Sequence, residues 1–537
     1  MRRARRVAAL LVVAIATLAV GVVSAYAQAP AVPVPLPTPA EMAGYLSFTA
    51  PDEVGPYLGR LAAAAEGVAV DSLPAPTPLP IVRIAPTPGP DAADPGGPRP
   101  GDPGPPVVRV LVIGAQHGTE RAGIEAGLRV ARDLATGRLA HLRRGLEVRI
   151  VPMANPWGVA NRSTETAAGV DMNGDHVRLA APETRALWGE YVAWRPHLVL
   201  DLHELGPSEY TVQIGVPTHP NAPASAMFAR FYLLPFVANE LAGSDVRFHE
   251  YVASWSGGGT TEGAVVPADE DAASGGTWFT PPPLDPTSAR NAFALAGSVS
   301  YFVAVSSSRD IIGLEERTER LYVTVRALLT AAAGLAPDLA AAHEAAGRLP
   351  KSSLALRTRY AGTSPDASLP WIFVNARGQR EQGRLAPWRS EVAVELELEP
   401  PAGWWLAPDQ TELADVLRAH GFEVTAGGAG ARPARDADAI GNRDAVGGGD
   451  PLAYPRCAPG NVDEVDAARL MRPVLDAAPP GPGSDAVWVN ADQPGGRFLF
   501  TLVEPWSAGG WFDDGRRAPG PEVCDEAATF PVVRVPR

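Results

Sequence analysis

VLVIGAQHGTERAG (Val110–Gly123) and HLVLDLHELG (His197–Gly206) share one plan: an apolar run that leads into a histidine. Val107–Ala115 is nearly unbroken and rich in β-branched residues, the pattern of a strand covered on both faces. Working outward, Ile124–Leu134 reads as a helix, and Leu146–Met153 and His197–Leu202 as further buried strands. Ser298–Val305 reads as another strand, and Glu315–Leu329 as a helix with Leu321, Val325 and Leu328 on one face. Upstream, Asp52–Glu66 reads as a helix and Ile81–Ile84 as a short strand, while Val237–Pro283 is rich in loop residues. Strands alternating with helices at this spacing predict an α/β fold: a mostly parallel or mixed central sheet with flanking helices.

The grammar changes beyond Leu349. Glu391–Glu399 (EVAVELELE) alternates strictly, which predicts a half-exposed strand with Val392, Val394, Leu396 and Leu398 on one face. Asp409–His420 reads as a helix, Gly427–Gly449 as a flexible loop and Arg497–Val503 as a strand. The expected organisation is a signal peptide over 1–27, a Pro/Ala-rich spacer over 28–42, an α/β domain over 43–349 and a C-terminal α+β or β-rich accessory domain over 350–537. Residues 86–106 form a Pro/Gly-rich insert whose composition supports no packed element. No internal repeat is evident.

The chain has 537 residues and a formal charge of -14, with nothing that builds a sustained basic patch. That balance argues against nucleic acid or an anionic membrane as partner. Arg2, Arg3, Arg5 and Arg6 precede the apolar run Val7–Val23, and Ala25-Tyr26-Ala27 offers a cleavage site before Gln28. These features predict export to the periplasm or the medium, with an uncleaved anchor as the alternative reading. Cys457 and Cys524 are candidates for one disulfide in an oxidising compartment, and no C-x-x-C pattern marks them as metal or redox residues.

His117, Glu120 and His203 make a three-donor metal set. Hydrolytic zinc takes three nitrogen or oxygen ligands and keeps one position for water. Gly118 allows the bend that brings His117 and Glu120 to one ion, and His203 ends a second strand. Open α/β sheets carry ligands at the C-terminal strand ends, so both segments deliver to one edge. Asp201 and Glu204 are available as acceptors that orient an imidazole.

HGTE (His117–Glu120), NPWGVANR (Asn155–Arg162), GVDMNGD (Gly169–Asp175) and DLHE (Asp201–Glu204) follow one another in an order that resembles the zinc metallocarboxypeptidases and their succinylglutamate desuccinylase-like relatives. The resemblance covers about Gly44–Leu349. Pro400–Val424 and the LVEPWS segment (Leu502–Ser507) also look like an extension found in bacterial members. The resemblance implies a zinc-carboxypeptidase-like fold, zinc on His117, Glu120 and His203, and hydrolysis of a peptide or amide bond. It implies that Arg162 polarises the scissile carbonyl and that Asn173 helps to hold a substrate carboxylate.

Two positions depart from the family pattern. Gly174 stands where the family carries an arginine for the substrate's terminal carboxylate, and glycine offers no such contact. Ser307 falls where the family has its general base, a glutamate, and a serine does not take a proton from water near neutral pH as a carboxylate does. Glu315 and Glu316 follow soon after, in what reads as the first turn of a helix; Glu262, Asp269, Glu270 and Asp271 lie in the Gly-rich loop. The general base is left open among these, and no G-x-S-x-G supports a serine hydrolase. The main expectation is an exported zinc-dependent carboxypeptidase-like hydrolase. The alternatives are a catalytically impaired, zinc-retaining peptide- or ligand-binding protein and a small-molecule amidase or deacylase.

Overall fold

The computed structural model describes residues 36–87, 106–206, 208, 210–256, 259–260, 277–346, 349–361, 367–374, 380–426, 452–455, 472–473, 487–504, 507, 510–511 and 529–535. The expected signal peptide, nearly all of the 86–106 insert, Glu262, Asp269, Glu270, Asp271, the 427–449 loop and both cysteines lie outside these residues.

In chain order the elements before Leu349 are α1 (Pro39–Met42), α2 (Pro51–Ala64), β1 (Val68–Leu73), β2 (Leu79–Ile84), β3 (Val108–Gly114), α3 (Ala122–Thr136), β4 (Leu146–Val151), α4 (Pro156–Asn161), α5 (Pro182–Trp194), β5 (Leu198–Leu205) and β6 (Val212–Gly215). There follow α6 (Pro223–Phe228), α7 (Leu234–Leu241), β7 (Phe248–Glu250), β8 (Ala253–Ser256), β9 (Gly259–Thr260), β10 (Thr277–Thr280), α8 (Ala289–Leu295), β11 (Val299–Ser306), α9 (Leu314–Gly334) and α10 (Ala336–Ala346). An eight-stranded sheet runs β1-β2-β4-β3-β5-β11-β6-β7. Its centre, β4-β3-β5-β11, is parallel. β1, β2 and β4 pair antiparallel, as do β6 and β11. The expected mixed α/β sheet with flanking helices is the one the chain forms. β8, β9 and β10 make a small separate sheet inside the loop-rich stretch.

Alternate residues of the central strands face two apolar layers, because side chains along a strand point to opposite faces. Val110, Val112, Leu198, Leu200, Leu202, Val303 and Val305 pack with α2, α3 and α9. Leu111, Ile113 and Val199 face the other layer, with Trp188, Tyr191 and Phe293 from α5 and α8. Burial on both faces is why β3 and β5 read as continuous apolar runs.

The C-terminal elements are β12 (Leu354–Ala361), β13 (Leu369–Val374), β14 (Arg380–Leu385), β15 (Glu391–Leu398), β16 (Gly403–Leu406), α11 (Thr411–Ala419), β17 (Val424–Ala426), β18 (Leu452–Pro455), β19 (Arg472–Pro473), β20 (Val487–Asn490), α12 (Gly496–Val503) and β21 (Thr529–Val535). β12 pairs with β15 and β13 with β14, while β17-β20-β16-β21-β18-β19 form a six-stranded sheet. These elements extend the α5/α8 layer. Phe498 stacks on Trp188 (ring centroids 5.3 Å apart, planes at 11°), and His420 meets the same indole edge-on at 4.5 Å.

Two sequence expectations need correction here. Arg497–Val503 is the helix α12, not a strand. Phe498, Leu499, Phe500, Leu502 and Val503 are all buried, and in so short an apolar run the i, i+4 spacing of Arg497 and Thr501 is too little to separate helix from strand. β15 is a strand, but Val392 and Val394 are exposed while Leu396 and Leu398 are buried. Only one end of the alternating face meets the core.

Candidate metal centre

β3 ends at Gly114, and the next turn carries His117, with the Glu120 amide donating to the His117 carbonyl at 3.0 Å. That turn lies directly on α4: a Cβ on Gly118 would stand 1.9 Å from the carbonyl carbon of Gly158. Asn155 fixes the approach. Its Oδ1 accepts from Gly158 N (2.8 Å), and its Nδ2 donates to Gln116 O (3.1 Å) and Glu165 O (3.0 Å). The NPWG segment is therefore a clamp on the metal turn, a role visible only once the fold is known.

His203 projects from β5, adjacent and parallel to β3. His117, Glu120 and His203 come together, all buried, with one potential ligand atom from each within 4.8 Å of the others. Glu120 Oε1 lies 3.2 Å from His117 Nδ1, and Oε2 lies 2.8 Å from His203 Nδ1. Both Nδ1 atoms thus face the carboxylate, and each Nε2 faces away to an acceptor of its own. His117 Nε2 lies 3.0 Å from Asp171 Oδ1, and His203 Nε2 lies 2.7 Å from Asp201 Oδ2. Backing of this kind fixes ring orientation and makes the inner nitrogen a better donor.

The electrostatics suit a cation. Burial alone lowers the pKa of His203, but Asp201 and Glu120 raise it to about 9. His117 is likewise held well above its ordinary value: burial opposes this, and Glu120 and Asp171 outweigh burial. Burial opposes ionisation of Glu120, yet the two imidazoles keep it well below the usual carboxylate range. The field that holds protons here is the field a divalent ion would replace, with two nitrogens and a carboxylate as its donors.

The sequence-predicted residues separate into groups. Asp201 orients His203 as expected. Glu204 does not orient an imidazole; instead it accepts from Ala122 N at the start of α3 (2.6 Å) and pairs with Arg317 at 3.0 Å. Ser307 is buried; its hydroxyl donates to Glu204 Oε2 and accepts from Arg309 N. Arg162 ends α4 in the left-handed conformation and is exposed. Asn173 lies in a single 3-10 turn, its Oδ1 accepting from Ala289 N at 3.4 Å. Gly174 is exposed, with open space where a side chain would go. Glu315 is exposed in the first turn of α9, and Glu316 pairs with Arg320.

Two residues at the centre escaped the sequence reading. Asp171 lies inside the GVDMNGD motif, in a Gly/Asn/Asp cluster whose sequence signal is that of a turn. Arg309 donates to Glu120 Oε1 (2.9 Å) and to Glu204 O (2.8 Å). Its only sequence signal is a cation shortly past the end of a strand that reaches the same sheet edge.

No family model matches the chain. A 99-residue stretch is 34% identical to probable carboxypeptidase 2 of Arthroderma benhamiae, covering 18% of this chain and 19% of that protein. Carboxypeptidase 2 of Trichophyton rubrum is 33% identical over 99 residues, 18% of either chain. The chain therefore spans about a fifth of the length of the curated relatives it matches. Among solved structures, a metallo-carboxypeptidase from Pseudomonas aeruginosa superposes with a TM-score of 0.37 at 16% identity, over 55% of this chain and 71% of that one. Carboxypeptidase A from Helicoverpa armigera gives 0.37 at 15% identity, over 55% and 75%. Over a 99-residue stretch the chain is thus similar to named carboxypeptidases. The buried His–Glu–His cluster is a set of donors that could hold a metal ion.

Proposed function

We propose that this protein is a zinc-dependent metallopeptidase of the carboxypeptidase kind, hydrolysing a peptide or amide bond. The observation that carries the reading is the convergence of His117, Glu120 and His203 from two neighbouring parallel strand ends, each imidazole backed by its own carboxylate. Zinc held by such a set supplies Lewis acidity and an activated water. Asp171 and Asp201 keep the imidazoles turned inward. Arg162 and Arg309 supply fixed positive charge for a developing oxyanion. Asn173 holds a substrate carboxylate. In this reading residues 43–349 are the catalytic domain and 350–537 an accessory domain. The chain is secreted or periplasmic once residues 1–27 are removed.

One observation favours a second reading, that of a zinc-retaining binding protein. Ser307 bonds to Glu204 rather than presenting a base, and Glu204 is itself committed to Ala122 and Arg317. The open position at Gly174 favours instead an amidase or deacylase for a small acylated amino acid.

Metal analysis of the purified protein should give about one zinc per chain, and His117→Ala should remove it; a metal-free wild type ends the proposal. Turnover of blocked peptides or acyl amino acids by the zinc form, abolished by chelation, separates the enzyme from the binder. Fractionation of an expressing bacterium, with N-terminal sequencing for a start at Gln28, checks export.

A further inference from the structure

His176 is a fully buried histidine that the reading above leaves without a role. It follows the 3-10 turn that carries Asp171, and its backbone N–H donates to Thr287 O at 3.1 Å. Both ring nitrogens are engaged: Trp188 Nε1 lies 3.0 Å from Nδ1, and Nε2 lies 2.9 Å from Gln116 Oε1. An indole N–H only donates, so Nδ1 is the acceptor and the ring proton sits on Nε2. Burial lowers the pKa of His176 to about 4, so near neutral pH the ring carries that one proton. Nε2 therefore donates to Gln116 and turns Oε1 of the amide toward the imidazole. The opposite amide orientation would need the proton on Nδ1, where it would meet the indole N–H donor against donor. Gln116 Nε2 is left buried with no hydrogen-bond partner, a cost that an untethered amide would avoid.

Gln116 immediately precedes His117, and the chain enters it under strain. Ala115 has a φ of 52°, the left-handed region, where its Cβ crowds the carbonyl that follows. Such a conformation persists only where the surroundings hold it. Asn155 N donates to Ala115 O at 3.0 Å and Asn155 Nδ2 to Gln116 O at 3.1 Å, so the α4 side holds the backbone of the turn. Among the described residues only His176 holds the Gln116 side chain. The loop that supplies His176 also supplies Asp171, 3.0 Å from His117 Nε2. It grips the metal turn at two consecutive residues, Gln116 and His117.

We propose that His176 is a positioning residue for the metal turn: its Nε2 proton, aimed by Trp188, holds Gln116 and through it sets the angle at which His117 enters the centre. His176 touches neither the ion nor a substrate. Phe498 and His420 enclose the Trp188 ring, so the segment after Leu349 gains a hold on the metal centre through this chain of bonds. The inference rests on the proposed zinc site for what the turn carries, but the order of the turn itself is readable without metal.

His176→Asn and His176→Gln separate the two ring nitrogens. The asparagine amide ends near the place of Nδ1 and does not reach Gln116, whereas the longer glutamine puts a donor near the place of Nε2. With zinc removed by a chelator, exchange of the Glu120 amide hydrogen, which bonds to His117 O, should be about tenfold faster in His176→Asn and near wild type in His176→Gln. Zinc affinity from chelator competition should follow the same order, about tenfold weaker in His176→Asn, the scale of a lost outer support. Nitrogen NMR should find the wild-type ring protonated on Nε2, and Trp188→Phe, which keeps a ring but removes the N–H, should admit the other tautomer. If His176→Asn does not fold, Gln116→Leu removes the same bond from its other end and should speed Glu120 exchange equally. A histidine that only fills the core would lower Tm alike in both His176 variants and leave Glu120 exchange in step with the rest of the sheet. That outcome, no rescue by His176→Gln, or a tautomer unmoved by Trp188→Phe overturns the proposal. The two readings fail separately. A wild type without zinc but with the exchange pattern intact ends the zinc site alone, whereas bound zinc with affinity and exchange unmoved by His176→Asn ends the role of His176 alone.

Discussion

Asp201 shows how much of the centre depends on residues that never face the ion. Its carboxylate holds His203 Nε2 at 2.7 Å from the far side of the ring. Asp201→Asn keeps the size but loses the charge, so zinc affinity should fall about 10–100-fold with unchanged far-UV circular dichroism, measured by chelator competition. Glu125 acts on stability instead. Burial pushes its carboxyl from an ordinary 4.5 up to about 7, against hydrogen bonds from Thr49 N (2.8 Å) and Thr49 Oγ (2.7 Å). An acid whose pKa is raised by folding favours the folded state below its ordinary range, and that contribution is lost as pH rises through about 4.5 to 7. Glu125→Gln should flatten this window and raise Tm above pH 7, with little change below pH 4, by roughly 2–4 °C per kcal/mol regained. A pH–Tm series decides it. At this scale the sequence displayed the donors and Asp201, but not the other supports. His117, Glu120 and His203 carry their signal in local spacing, whereas Asp171 reaches His117 across 54 residues and Ser307 reaches Glu204 across 103. No local pattern encodes such pairings.

Among the elements, the turn between β3 and α3 is the most constrained. Its close approach to α4 at Gly118 leaves no room for a methyl group, since the obstacle is backbone. Gly118→Ala should cost about 3 kcal/mol and lose zinc as the turn lifts off α4, seen in thermal denaturation and metal content. β3, β5 and β11 were legible because short, mainly apolar runs bounded by turn residues have few other uses. β1 was missed: Val68–Leu73 is an edge strand, mostly solvent-facing, with Asp71 and Ser72 interrupting its apolar pattern. α12 was misread for another reason, since eight residues are too few for periodicity to separate helix from strand.

For the whole molecule, the layer around Trp188 ties the segments before and after Leu349. The indole is fully buried and donates to His176 Nδ1 at 3.0 Å, while Phe293, Phe498 and His420 enclose its ring. Trp188→Ala should therefore cost roughly 3–5 kcal/mol. A chain ending at Leu349 would uncover the same surface, and it should elute as aggregate in size-exclusion chromatography; a monodisperse, zinc-loaded 1–349 fragment would refute this. The grip of His203 on the same site as Glu120, 83 residues earlier, has a mechanical consequence. An ion held at both ends is a removable cross-link across that stretch of chain, and its benefit grows with the logarithm of free zinc over its dissociation constant, about 2.7 kcal/mol at a hundredfold excess. Two preparations with identical sequences would then melt at different temperatures solely because one had been dialysed against a chelator.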